Sequence, residues 1–544
     1  MEGKHMNKRL IRLLSLLFAF SLVAAACGDS DGGNDSTTTD EESTEAAPAD
    51  EEQSEEGGTI DDDEAAAAFD DDDDDDDATT EAVDESPAET IEDLQADWAT
   101  SRQAVIDMLT EGIEAGDFGI GDDNILRGPS GFQIDLNDCP GDWSNTGGIT
   151  DTEIRLGQSF VRSGTLAAYI NLSIGMEMWY KYTTQTGGVD GKDLVFITKD
   201  DGYVAAQTIE VVDELIQAEN VFFIHTGGSP NTLATYDNIH DECIPQPMVA
   251  TGHPAWGDPV NHPWTTGSLL SYSTEAILWG NWIKANLADD LPVKVAGLVM
   301  DNDFGLAYEE AMSAWVEDNP DVISEFIPVR HDPAAPTLTN EVTTIASYDP
   351  DVFISMTTGN ACLLAIQEVE KAGLRETLSA AFTSSVCKGI EAFMVPAGEA
   401  SDGWWIVGGG QKDLADANDD DIFINFLNEY LLSEGLDPSI SLLGSGVFYA
   451  FGQVEGLKIA AELPGGLNRT NFILALRSLS VKHPMLLDGI TFAVDGNADA
   501  YYIEGSDISQ FGYATKSWTQ VGDLVDLNGS SPNCAWDKDN GGCK

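Results

Sequence analysis

Basic residues are scarce in this chain. There are 25 Lys and Arg against 96 Asp and Glu, a formal charge of −71. None lies between Gly28 and Ser101. Nucleic acid is excluded as a partner, because phosphate recognition needs clustered cations. Docking on an anionic membrane surface is excluded for the same reason. No apolar run spans a bilayer; the longest, Leu13 to Ala26, is too short. The seven histidines are scattered, and no H-E-x-x-H, Walker loop or nucleophile elbow occurs. That leaves no catalytic set, and neither an enzyme nor a cofactor is expected. There is no C-x-x-C pair, so zinc and dithiol redox chemistry are not expected.

What is present begins with Lys8, Arg9 and Arg12, an apolar segment, and Ala24-Ala25-Ala26-Cys27. Basic, apolar, then small residues make an export signal. The ending resembles the bacterial lipobox, which implies cleavage before Cys27 and lipid on it. Ala24 stands where that motif favours Leu, and a plainly secreted chain is the alternative. Met6 is the expected start, since it leaves a compact basic segment. The tract 28–96 follows, with Asp70 to Asp77 unbroken. It has too little apolar surface to offset its ordering entropy, so it is expected to be disordered. A solvated tether is one reading of it, and weak divalent-cation binding by the Asp run is the other.

With Cys27 lipidated, six cysteines remain, as suits an exported chain. Six allow fifteen pairings. The expected one is Cys139–Cys243, Cys362–Cys387 and Cys534–Cys543, with free buried thiols as the alternative.

Helical spacing over 98–113 and a Gly- and Asp-rich loop to 143 mark an N-terminal extension, 97–147. From residue 148, near-continuous apolar strands alternate with amphipathic helices. Strands are expected at 153–157, 193–198, 221–225, 248–251, 295–300, 352–356 and 380–382. Such alternation means parallel sheets covered on both faces. Two successive sets exceed one sheet, so two α/β lobes are expected. Helices near 422–432, 447–463 and 471–479 and strands at 489–494 and 500–504 return the chain to both.

Gly157, Ser163-Gly164 and Tyr169, then Gly187-Gly188-Val189-x-Gly191, then Lys199-Asp200-Asp201-Gly202, resemble the start of type I periplasmic binding proteins. Ser229, Ala250-Thr251-Gly252, Asp303-Phe304-Gly305, Asp349-Pro350-Asp351-Val352 and Lys371-Ala372-Gly373-Leu374 follow in order. The likeness is to the branched-chain amino acid and amide group (the LIV-binding-protein family) and spans roughly 148 to 525. It implies a Venus-flytrap of two doubly wound parallel-sheet lobes joined by three hinge crossings. These are placed near Thr265-Thr266-Gly267, Gly403 to Val407, and Met485 to Gly489. Lobe I is then 148–267 and 404–485, lobe II 268–403 and 486–530, and the tail 531–544. The implied partners are a small solute, an ABC permease and its ATPase; a ligand sensor without a transport role is the alternative. The chain is expected to be a monomer outside the cytoplasm, held to the membrane by lipid alone.

The resemblance also nominates ligand contacts. Ser229, Ala250 and Thr251 match positions that hold a carboxylate or amide, with the N-terminus of the following helix behind them. An N-cap of that helix is the alternative for Ser229, and both roles can coexist. Tyr169 and Phe304 match lining residues, with core packing as the alternative for Tyr169. Ser163 either caps a helix or faces the cleft. On lobe II the expected contacts are Thr358 and Ser384. There the amino-acid binders carry an acidic residue, and this chain reads Phe382-Thr383-Ser384-Ser385. A buried ammonium without a counter-charge is costly. A neutral, amide-like, hydroxylated or anionic solute therefore fits better. His253, Asp258 and His262 sit on a rigid Pro- and Gly-containing loop and are not expected to bind metal. Trp256 on that loop either lines the cleft or packs elsewhere.

Overall fold

A computed structural model describes residues 88–414, 418, 420–537 and 542–543. The leader, Cys27 and the acidic tract up to residue 87 lie outside them. The chain opens with α1 (Ile91–Ala115), which starts seven residues before Trp98. Thr90 and Asp93 close a capping box there, and Glu92 and Asp93 sit in the first turn, where the helix dipole favours negative charge. The expected disordered tract is thus too long: its last residues are helical. Trp98 anchors α1, with ring centroids 5.0 Å from Phe451 and 5.8 Å from Phe423. An antiparallel sheet of β1 (Gly119–Ile120), β2 (Ile125–Arg127) and β3 (Gln133–Asp135) completes the extension.

Lobe I follows with β4 (Glu153–Phe160), α2 (Ile170–Gln185), β5 (Asp193–Asp200), α3 (Ala205–Gln217), β6 (Phe223–Thr226), α4 (Ser229–Asp241), β7 (Gln246–Val249) and β8 (Thr265–Gly267). Strands run parallel in the order β5-β4-β6, and β7 pairs with β8. Backbone bonds Ile224 N–H to Pro245 O and Ala250 N–H to Thr226 O join the two groups.

Lobe II holds α5 (Tyr272–Asn286), β9 (Val293–Met300), α6 (Asp303–Asp318), β10 (Ile323–His331), α7 (Thr339–Ala346), β11 (Val352–Met356), α8 (Asn360–Lys371), β12 (Ala380–Thr383) and β13 (Trp405–Val407). The chain then returns as α9 (Ile422–Ser433), α10 (Ser441–Glu462) and α11 (Arg469–Leu476). After β14 (Gly505–Ser506) come β15 (Ile508–Gly512) and β16 (Ser517–Gln520). The lobe II sheet runs β10-β9-β11-β12-β13-β15-β16, parallel as far as β13 and antiparallel beyond. Every residue of β11 is buried, as a central strand covered on both faces requires. α10 is buried almost all round and packs on α2.

Three expectations need correcting. Trp405–Val407 pairs with β12 on one side and β15 on the other, so it belongs to the lobe II sheet. The second crossing begins after it, at Gly408. Neither 489–494 nor 500–504 is a strand: Ala493 forms an isolated bridge to Ser480, and 500–504 pair with nothing as a strand. Their apolar side chains pack on lobe I: Phe492 stacks on Tyr502 at 4.8 Å and meets Phe448 edge-on at 6.0 Å. The third crossing therefore comes not at Met485 to Gly489 but at Asp507, just before β15 rejoins the lobe II sheet.

The crossings lie side by side. Gly408 N–H donates to Asp507 O at 2.9 Å, and Lys412 N–H to Met485 O at 2.8 Å. The fully buried Arg477 guanidinium donates to Pro263 O and Thr265 O where the first crossing starts. Three disulfides join Cys139–Cys243, Cys362–Cys387 and Cys534–Cys543. The last closes the hairpin of β18 (Trp536–Asp537) and β19 (Gly542–Cys543), which follows β17 (Val525–Asp526). Cys534 N–H donates to Gly257 O of lobe I, and Ser531 Oγ lies 3.0 Å from Thr274 Oγ1 of α5.

Candidate ligand-binding cleft

Ligands of doubly wound sheets sit beyond the carboxyl ends of the strands. Those ends face each other here across a cavity of about 110 Å³. Lobe I supplies Phe160 at the end of β4, Leu166 and Tyr169 ahead of α2, Tyr203 after β5, Gly228 after β6 and Ala250 after β7. Lobe II supplies Phe304, Thr358, Ser385, Val386 and Lys388. Tyr272 and the crossing residues Gly408, Gly409 and Gln411 to Asp413 close one side. Ser441, Leu442, Ser445 and Tyr449 come from one face of α10.

Local chemistry fixes this lining. Tyr203 has φ of 60°, an uncommon conformation for its residue type. The buried Asp201 carboxylate holds that turn, accepting from Tyr203 N–H at 3.0 Å and Ser159 Oγ–H at 2.9 Å. Gly228, at φ 83°, lets the Tyr203 ring lie against the backbone: a β-carbon there would fall 2.4 Å from Tyr203 Cε2. Cys362–Cys387 ties the loop carrying Thr358 to the loop carrying Ser385 to Lys388.

The two lobes touch directly. Tyr169 Oη donates to Val386 O at 2.9 Å, lies 2.8 Å from Thr358 Oγ1, and accepts from Gly359 N–H at 3.3 Å. Gly359 has φ of 64°, and a β-carbon on it would fall 2.6 Å from Leu166 Cγ of lobe I. Burial pushes the Tyr169 hydroxyl up to about 12 and also raises Tyr203, Tyr272 and Tyr449. All four are therefore neutral phenols. The charged end of the lining is tied down. Lys388 Nζ donates to Gln411 O at 2.6 Å and Gly408 O at 3.1 Å, with Asp507 Oδ1 at 3.7 Å. Lys412 pairs with Asp421 at 2.6 Å.

Of the nominated contacts, Tyr169, Ala250, Phe304 and Thr358 line the cavity. Ser163 is exposed outside the lining and hydrogen-bonds Asp200. Ser229 is fully buried behind it: Gly228, not Ser229, is the N-cap of α4. Its Oγ lies 2.7 Å from Thr251 Oγ1, which lies 3.3 Å from Tyr272 Oη. Both residues thus stand behind the Tyr272 hydroxyl, outside the lining itself. Ser384 also points away, donating to Thr357 O at 2.8 Å, and Ser385 takes the cavity position. Tyr203, Tyr272 and Tyr449 were not anticipated. Tyr203 directly follows the Lys199-Asp200-Asp201-Gly202 motif, which could have signalled it. Trp256 packs with Leu233, Tyr236, Val249 and Ala255, away from the cavity. His253 and His262 do not converge: one accepts from Ala255 N–H, the other stacks on Tyr236 at 3.7 Å.

None of the curated proteins matches this sequence. Among solved structures, the fatty acid ABC transporter substrate-binding protein from Thermomonospora curvata is 18% identical with a TM-score of 0.62, covering 72% of this chain and 96% of that one. A branched-chain amino acid ABC transporter protein from Thermus thermophilus, with bound valine, is 16% identical with a TM-score of 0.61 over 70% and 98%. A solute-binding protein from Rhodopseudomonas palustris BisB5, in complex with 3,4-dihydroxybenzoic acid, is 17% identical with a TM-score of 0.57 over 69% and 97%. These likenesses establish the shared two-lobed fold. A family profile described as periplasmic binding protein matches residues 153–502, well over half of the sequence. The chain, a binding protein rather than an enzyme, belongs to the periplasmic binding protein family.

Proposed function

We propose that the chain is the solute-binding lipoprotein of an ABC importer, anchored outside the cell by lipid on Cys27. It captures a small solute between the lobes and presents the closed form to a permease and its ATPase. The observation that carries this reading is the cavity at the facing strand ends, lined from both lobes and spanned by the Tyr169 hydroxyl. Closure about the crossings near Thr265, Gly408 and Asp507 needs few residues to change conformation. The lining is mostly aromatic and aliphatic with a few polar groups, the usual character of a small-molecule site. The solute accordingly has an apolar body and a polar end, a description that the bound valine and dihydroxybenzoate of the two neighbours also meet.

Native mass spectrometry of the purified chain, with uptake assays in a deletion strain, tests this. One small molecule per chain, whose uptake is lost on deletion, is the expected result. A bound solute whose uptake is unchanged would instead make the protein a sensor.

A further inference from the structure

Ser385 lines the cavity from lobe II, but its hydroxyl proton is committed elsewhere. Its Oγ–H donates to Glu275 Oε2 at 2.8 Å, and its backbone N–H donates to Glu275 Oε1 at 2.8 Å. Tyr308 Oη–H reaches the same Oε2 at 2.6 Å. Glu275 is fully buried on α5, and no cation pairs with it among the described residues. The carboxylate therefore fixes the loop whose next residue, Val386, takes the Tyr169 hydroxyl bond. With its proton committed, Ser385 Oγ has only lone pairs left to offer a solute.

We infer that Ser385, oriented by Glu275, is a hydrogen-bond acceptor toward the solute, and that the site selects solutes presenting a donor (hydroxyl, amide N–H or ammonium) to lobe II. This rests on the solute-binding reading above. A carboxylate or ether at that end would set oxygen against oxygen, with the Glu275 charge behind it. A site built around a hydrogen bond discriminates strongly against an analogue that lacks it, because the buried polar group is left unmatched. Ser385 is the contact residue, and Glu275 is a positioning residue that acts through it. Burial pushes the Glu275 carboxyl up to about 7, so it is ionised at about pH 8.

The test is calorimetry on the full chain at about pH 8 with two matched probe pairs: 4-hydroxybenzoate against 4-methoxybenzoate, and L-valine against isovalerate. In the pair that binds, the donor member is expected to be about tenfold tighter, and Ser385→Ala to erase that preference. In Glu275→Gln the amide N–H donates to Ser385 Oγ and turns the hydroxyl proton into the cavity. The preference should then reverse, whereas a merely structural role for Glu275 would weaken both members alike. Equal or tighter binding of the member without the donor to the wild type, or a preference surviving in Ser385→Ala, overturns the inference and leaves solute binding intact. If neither pair binds, a co-purified solute without a donor overturns the inference alone. An empty protein in that case overturns both.

Discussion

Replacing Tyr169 by Phe removes one hydroxyl and leaves the ring, including its packing on Phe393 at 5.7 Å. The hydroxyl is bonded only across the cleft, to Val386 O at 2.9 Å, Thr358 Oγ1 at 2.8 Å and Gly359 N at 3.3 Å. The first two are well formed, and each contributes about 0.5–1.5 kcal/mol net. The closed form should therefore lose about 1–3 kcal/mol relative to the open one, a shift of about 5- to 150-fold in that equilibrium. Opening lets water satisfy the freed groups, so each lobe should unfold as before. A solute that binds the closed form loses affinity by up to the same factor. Small-angle scattering of the solute-free chain reads the equilibrium directly, and calorimetry with a bound solute reads its consequence. Tyr169→Phe should expand the solute-free protein and raise Kd. An unchanged scattering profile together with an unchanged Kd would refute the argument that this hydroxyl latches the lobes.

Gly359→Ala should act through the same contact, because its β-carbon would collide with Leu166 only when the lobes meet. Solute affinity should fall at least about tenfold, with the positive φ adding a strain of about 1 kcal/mol or more that urea unfolding can measure. The double substitution Cys362→Ser and Cys387→Ser opens a loop of 25 residues and should cost about 3 kcal/mol in the same unfolding assay. Glu275 has its folded-state carboxyl raised from 4.5 to about 7 by burial, against the donors from Tyr308 and Ser385. The protonated carboxyl thus contributes stability that is full below about pH 4.5 and is lost as pH rises to about 7. Relative to Glu275→Gln, the wild type should lose about 3 kcal/mol across that window and then level off. Parallel unfolding profiles for the two proteins would remove Glu275 from the account.

The alternation of buried strands and amphipathic helices was legible because burial on both faces leaves a strand such as β11 wholly apolar. Boundaries were lost where a local rule overrode composition. The capping box of Thr90 and Asp93 was hidden inside a run of acids, so α1 was read as starting late. The segment around Phe492 carries strand-forming residues, yet its neighbours are helices and aromatic rings, so it bridges rather than pairs. β15 and β16 extend the lobe II sheet antiparallel from β13, where one edge is open. Their short alternation was a weak signal beside the apolar run that precedes them.

The site followed the same logic. Positions at the ends of strands could be read, since the fold type places them at the cleft: Tyr169, Ala250, Phe304 and Thr358 all reach it. On lobe II the reading fell one residue short. β12 ends at Thr383, and Ser384 turns inward to Thr357 O and the Cys387 sulfur, which rotates Ser385 into the cavity. The sequence around Ser384 also lacks a carboxylate, and on that ground a charged amine looked poorly matched. The fold supplies one from 110 residues upstream. Within α5, Glu275 reads as an ordinary helical acid, because nothing in its own neighbourhood reveals that three donors will converge on it. A carboxylate that touched the solute would demand a cation. Placed behind Ser385, it spends its charge on fixing a hydroxyl and demands only a donor, so neutral hydroxyl and amide solutes remain admissible where a direct ion pair would exclude them.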